Sequence, residues 1–310
     1  MAKPLIYRLL QTILVLLVIS LLTFALLAAA GGDVLTTLAG DPKVSSEAIA
    51  GLRRIYGLDL PFSTRYARWL GGAVRGDFGH SFYFQLPVQT VIWPRLWRTA
   101  ALGLTALTIA WMVAFGLGIQ AARRPGSWTG RFCSAFVLLG SSVPRLVLAL
   151  LVLVLAARAS WLNIGGRPSS APGGWLLHLL PSAIVLSVPL GALFLAQTRV
   201  AIADGLKSEF VRTAQAKGLP RRLILFRHVL RPSLNPLITI LGYSLGGVMS
   251  GSVIVEKVLG WPGLGELSVI AVQSRDVPLL LGVVLFAATA VLMGNLLADT
   301  LLRLNDPRLR

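Results

Sequence analysis

The chain has 310 residues, of which 55% are hydrophobic and only 13% charged, with a net charge of +17 and a single cysteine. An ordinary soluble domain is about one-quarter charged, so the composition argues against a water-solvated globule and points to lipid as the solvent. Cys133 alone excludes an internal disulfide and a thiolate metal cluster, and it reads as an apolar-packed thiol.

The predicted elements begin with an apolar run from Leu9 to Ala30. Lys3 and Arg8 precede it, and Ala28, Ala29 and Ala30 close it, which is the pattern of a secretory leader. Its 22 residues exceed the leader's apolar core of about 7–15. It is therefore read as an uncleaved first transmembrane helix. Five further runs follow: Thr99 to Ala122, Phe132 to Ala157, Leu176 to Gln197, Leu234 to Val255 and Val277 to Leu302. A helix needs roughly 20 apolar residues to cross the hydrocarbon, and barrel strands are about half as long. The predicted fold class is an all-α integral membrane protein with six transmembrane helices. The chain divides into a first helix (1–30), an external segment (31–97), a five-helix core (98–303) with a basic stretch at 204–231, and a short tail (304–310).

In the external segment, Ser63 or Thr64 is placed to cap a helix. Tyr66, Trp69, Leu70, Ala73 and Val74 then share a face at spacings of three and four. Trp69, Trp93 and Trp97 suit a membrane interface. Two readings stay open: a surface helix that covers the outer mouth, and a docking surface for another protein.

Charge placement sets the orientation. Lys3 and Arg8, then Arg123, Arg124 and Arg131, then the basic stretch, then Arg303, Arg308 and Arg310 occupy alternate connections. All lie on one side, which the positive-inside rule makes the cytoplasm. Both termini are then cytoplasmic. The charge is accounted for by the membrane surface and its lipids, with no nucleic acid required. In the external segment Asp33, Asp41, Glu47, Asp59 and Asp77 nearly balance the arginines.

No phosphate-binding loop and no H-E-x-x-H zinc motif occurs. Ser250 and Ser252, in the glycine-rich fifth span, are conceivable intramembrane nucleophiles. His80, His178 and His228 lie in other segments, where none serves either serine as a base. The chain is read as a non-enzyme that binds no cofactor or metal of its own.

Residues 208–242 carry Arg212, Lys217, Arg221, Arg222, Arg227 and Arg231 between two apolar runs. Ser208 is placed as an N-cap, with Phe210, Val211 and Ala214 on one face of a first short helix. Gly218 fits the position where a helix ends with positive φ, and Pro220 the first position of the next helix. Leu223, Ile224, Phe226, Val229 and Leu230 would form that helix's apolar face, and Pro232 and Pro236 mark entry into the fifth span. Charge alone would serve to hold anionic lipid. The defined corner suits a partner that seats a short helix in a groove.

In Phe132 to Ala157, Arg145 follows Pro144 about 20 Å from either end of a straight helix. A charge near the midplane normally faces a partner or a watery cavity. It is read either as paired with a carbonyl freed by Pro144 or an acid on a neighbouring chain, or as lining a pathway and attracting a carboxylate.

The stretch Phe210 to Leu219, with Arg227 to Pro236, resembles the cytoplasmic coupling ("EAA") motif of ATP-binding-cassette importer permeases, in the dipeptide/oligopeptide/nickel branch. The general motif's glutamate falls on Arg212, where arginine is usual in this branch, while Ala214 and Gly218 fit. Tyr56 to Pro61, Gly76 to Ser81, Val255 to Gly265, Asn295 to Asp299 and Asp306 to Arg310 are similar to the branch's other blocks, in order.

The resemblance implies the type I importer permease fold and a second homologous permease with a pathway between the two. It also implies two cytoplasmic ATPases that bind ATP and magnesium, and an external solute-binding protein. ATPase coupling would fall to Arg212, Thr213, Ala214, Gln215, Lys217, Gly218, Leu219 and Pro220. Pathway candidates are Ser141, Ser142, Arg145 and Ser250. Docking candidates are Trp69, Asp77 and Trp261. Peptides are the expected cargo; nickel chelates, opines and glutathione are alternatives. A membrane scaffold without transport is the alternative of another class.

Overall fold

The computed structural model describes residues 2–29, 46–55, 57, 59–158 and 174–305. Tyr56, Leu58 and the block from Asp306 to Arg310 lie outside the described residues, as does the side chain of Ser250. Among the described residues the regular elements are helices, with one isolated bridge between His80 and Pro87.

The helices are α1 (Ala2–Ala29), α2 (Ser46–Ile55), α3 (Phe62–Val74), α4 (Val88–Arg123), α5 (Trp128–Ser142) and α6 (Arg145–Arg158). They continue with α7 (Gly174–Lys207), α8 (Glu209–Ala216), α9 (Leu230–Leu259), α10 (Leu264–Gln273) and α11 (Val277–Asn305). Among the described residues four helices are long and apolar enough to cross a membrane, or up to six spans if each of two bent pairs counts as one.

The third predicted run is not a straight helix. It breaks at Val143–Pro144, and α5 and α6 meet at a bend of 101°. Val143 takes an extended conformation (φ −82°, ψ 122°), the conformation that a following proline favours. Pro144 then caps α6, its carbonyl accepting the N–H groups of Val147 and Leu148. Pro94, Pro181, Pro189 and Pro236 all remain inside their helices. Proline by itself therefore does not decide where a span breaks. α4 also begins eleven residues before the predicted run, at Val88, and α10 was not predicted.

The described chain forms two compact units. The first comprises residues 1–99 and 262–290. Its core joins Val88 and Ile92 of α4 to Leu264, Leu267 and Ala271 of α10 and to Leu279, Leu280 and Val283 of α11. α3 packs on α1: Tyr66 Oη and Ser20 Oγ are hydrogen-bonded at 2.9 Å, and Phe24 meets the rings of Phe62 and Tyr66 edge-on. The α3 cap differs from expectation. Pro61 is the N-cap, without a side-chain bond, and Ser63 and Thr64 lie inside the first turn. Val74 is 82% exposed and leaves the predicted apolar face, because that face is defined by contact with α1.

The second unit comprises residues 100–261 and 291–310. α7 runs through its centre, with 67% of its apolar window buried against 11% for α1. α9 packs on α7 and on the end of α11 through small residues. A Cβ on Gly242 would come within 2.6 Å of Ala298 Cβ, and one on Gly294 within 2.7 Å of Leu245 Cδ1. Membrane helices associate by such close approach, because lipid offers no hydrophobic drive between them.

Candidate functional site

The basic stretch forms a corner anchored from below. Ser208 begins α8 in an extended conformation, but its hydroxyl donates back to Gly205 O instead of capping. Val211 and Ala214 are buried, while Phe210, predicted on the same face, is 45% exposed. The helix ends at Gly218, whose φ is +75°. There Gly218 N–H donates to Gln215 O at 2.9 Å and Leu219 N–H to Ala214 O at 3.2 Å. That paired bonding is the Schellman ending, and its left-handed residue is best supplied by glycine. Leu219 then packs beside Ala214.

The second arm departs from expectation. Pro220 is an N-cap instead of the first helical residue. Beyond it, Arg221–Leu223 leads into a π-helical segment, Ile224–Val229, which continues into α9. Pro232 and Pro236 lie within that continuous helix, so they mark no entry. The wider turn shifts the apolar face: Ile224, Leu225 and Val229 are buried, whereas Leu223 and Phe226 are exposed. π segments are found mostly as single turns and often at functional sites.

The corner's inner face packs on Ile202 and Leu206 of α7 and on Ile119 and Ala122 of α4. The corner is thereby packed on α4 and α7 and is continuous with α9. Its outer face exposes Arg212, Thr213, Gln215, Lys217, Gly218, Pro220, Arg221, Arg222, Arg227 and Arg231, together with Phe210, Leu223 and Phe226. Arg212 pairs with Glu209 at 2.8 Å, but both are largely exposed, and such a pair contributes little. Nothing of this chain lies within 4 Å of where a Cβ on Gly218 would project.

The remaining sequence candidates scatter. Trp261 is 1% exposed and packs against the rings of Trp175 and His178. It is a core side chain and is withdrawn as a docking residue; Gly260 (φ +67°) turns the chain inward at that point. Asp77 is exposed and accepts the Gly79 N–H at 2.9 Å. Trp69 is half-buried, 6.2 Å from the Tyr66 ring. Ser141 and Ser142 are exposed at the end of α5. Arg145 donates to Gly247 O on α9 at 3.3 Å. The bond therefore crosses to another helix and does not use the carbonyls around Pro144.

Three polar joints of the first unit, two of them buried, were not expected from the sequence. Asp276 is fully buried and caps α11 by accepting the Leu279 N–H at 3.1 Å. It also accepts from Ser81 Oγ at 2.6 Å and from Tyr83 N–H at 3.0 Å. Aspartate two residues before a proline at the start of an apolar run was a readable cap signal; its distant partners were not. Thr99 Oγ1 accepts the Leu264 N–H at 2.8 Å, capping α10 from another helix because its own N-cap is Gly263. Arg95 and Glu266 pair at 3.2 Å. Thr99→Val should destabilise the protein by about 1–3 kcal/mol, the cost of leaving a buried donor unmet. Thermal unfolding in detergent measures it, and an unchanged midpoint would refute the cap.

Among the described residues, helices with several apolar spans and one braced basic corner define a multi-pass membrane protein. A family model described as "Binding-protein-dependent transport system inner membrane component" matches residues 114–310, and the corresponding N-terminal family matches residues 1–103. The chain belongs to this family of bacterial inner-membrane transport components. It is similar to the oligopeptide transport system permease protein AppB of Bacillus subtilis, 35% identical over 100% of this chain and 99% of that protein. It is likewise similar to the probable peptide ABC transporter permease protein y4tP of Sinorhizobium fredii, at 33% over 98% and 97%. The glutathione transport system permease protein GsiC of Escherichia coli is 33% identical over 100% and 99%.

Proposed function

We propose that this chain is one of a pair of permeases in an ATP-driven importer of short peptides or closely related solutes, with six spans and both termini in the cytoplasm. The corner at 208–231 is the seat of a cytoplasmic ATPase, and an external binding protein delivers cargo to the opposite side. One observation carries this reading. The corner's outer face is open, basic and partly apolar, while its inner face is locked to α4, α7 and α9. A motion of the ATPase pair applied there moves packed helices as bodies, which is how alternating access works in general terms.

In the first unit, the exposed Asp77 and half-buried Trp69 are the remaining candidates for docking the binding protein. The peptide and glutathione names of the relatives favour small amide-linked cargo. A scaffold without transport has no use for a corner braced against three helices. The experiment is reconstitution in vesicles with the partner permease, the two ATPases and the binding protein. ATP hydrolysis should rise when binding protein and tripeptide are added together, and tripeptide should accumulate inside. A complex that assembles but neither responds nor accumulates cargo overturns the reading.

A further inference from the structure

Arg145 is the one charged side chain of the α5–α6 break, and the structure places it in an unusual setting. Its partner carbonyl, Gly247 O, lies 17 residues beyond Leu230 and 12 before Leu259. That is near the middle of a long apolar helix, so the depth expected for a straight third span is met by another route. The bond is long, at 3.3 Å, and the guanidinium forms no ion pair among the described residues. Arginine carries five donors in a planar fork, so most of the fork remains available. Arg145 also opens α6, where the helix dipole presents its positive end. A cation there gains nothing from the helix it starts, and the two positive contributions add.

The surroundings are exposed, and several of the side chains there are polar. Tyr243, one turn before Gly247 on the same face of α9, is 78% exposed. Thr239, a further turn back, is exposed too, as are Ser141 and Ser142 across the break. This openness does not arise because α9 is peripheral. Its other faces pack on α7 and α11, through Leu237, Val248, Gly242 and Gly246. An arginine facing lipid at this depth costs at least about 2.5–3.5 kcal/mol, so the face belongs to water, to an anion or to the second permease of the proposed pair.

We propose that Arg145, with Tyr243 one helical turn before its carbonyl partner, is a carboxylate-recognising subsite on the translocation path, serving cargo that carries a free carboxylate. The inference rests on the importer reading above and specifies the cargo class within it. The guanidinium fork binds the carboxylate in two-point fashion, and the Tyr243 hydroxyl supplies a further donor. Recognition in the path is then separate from recognition by the binding protein.

The test uses the complete reconstituted complex and two probes, trialanine and trialanine amide, each supplied at a concentration that saturates the binding protein. Arg145→Gln keeps a donor for Gly247 O and removes the charge; Arg145→Lys keeps the charge and loses the fork. With assembly intact, Arg145→Gln should lower the ratio of free-acid to amide uptake by about tenfold or more, the worth of a charge-assisted hydrogen bond. Arg145→Lys should lower it by a smaller factor. A ratio unchanged by Arg145→Gln overturns the subsite while leaving the importer reading in place. A complex that loses its second permease in Arg145→Gln but not in Arg145→Lys also overturns it, assigning Arg145 to an acid of that chain. A wild-type complex that moves neither probe overturns the peptide reading and this inference with it.

Discussion

Gly218→Trp should insert, fold and leave the second unit intact, yet lose uptake by more than about thirtyfold, the scale of a hot-spot residue in an interface. Two effects separate cleanly at this position. The left-handed backbone, φ +75°, penalises any side chain with a Cβ by roughly 1–2 kcal/mol. The space around the corner is empty of this chain within 4 Å of the new Cβ, so the first atom of the indole meets no steric resistance here. Strain of that size at an exposed turn does not unfold a protein whose corner is held by Val211, Ala214, Ile224 and Val229. Transport lost through bulk must therefore be lost at a partner's surface. Gly218→Asn is the control, because asparagine tolerates the left-handed region. It should retain most of the uptake. ATP hydrolysis and tripeptide accumulation are measured together in the reconstituted complex. Normal coupling in the tryptophan variant would falsify the assignment of the corner.

Asp276→Ala is expected to do more damage than its single position suggests. One carboxylate meets Leu279 N–H, Ser81 Oγ and Tyr83 N–H, and it is fully buried. Truncation removes the acceptor of all three donors, two of them in buried bonds. Loss of a helix cap costs about 0.5–2 kcal/mol, and each hydrogen bond to a charged group is worth about 1.5–3 kcal/mol. A loss of about 3 kcal/mol or more follows, a large fraction of typical net stability. The segment from Ser81 to Phe84 should become a site of early proteolysis, since its hold on α11 is gone. Asp276→Asn keeps an acceptor for Leu279 and should fall between the two. Limited proteolysis and thermal unfolding report the effect directly. Equal midpoints for wild type and Asp276→Ala would show that the buried carboxylate is not a joint.

The same two positions show what could be read in advance. Gly218 and Pro220 are two residues apart in sequence, and helix endings are local. The bonds that close α8 run from Gly218 and Leu219 to Gln215 and Ala214, all within five residues. Asp276 also caps its own helix locally, but its other partners lie 193 and 195 residues away. No local pattern announces them. Trp261 failed for the converse reason. It sits in a block that resembles a loop signature, and only the packing of Trp175 and His178 reveals it as core.

By itself the sequence determined the solvent, the helical class and the basic corner. Each follows from composition, from runs longer than a bilayer, or from backbone rules that act within one turn. It also marked Pro144 as a point of bending, while the mid-membrane depth read for Arg145 assumed a straight helix. Only the tertiary structure decided how far the chain bends there. The angle of 101° between α5 and α6, against four other prolines left inside helices, depends on what neighbouring helices offer the freed backbone groups. It likewise decided which face of the π segment is buried, since one extra residue per turn rotates Leu225 inward and Phe226 outward. The partner of Arg145 is on another helix for the same reason. Long-range contacts are selected by packing between elements, and packing depends on side chains that no single stretch of sequence brings together.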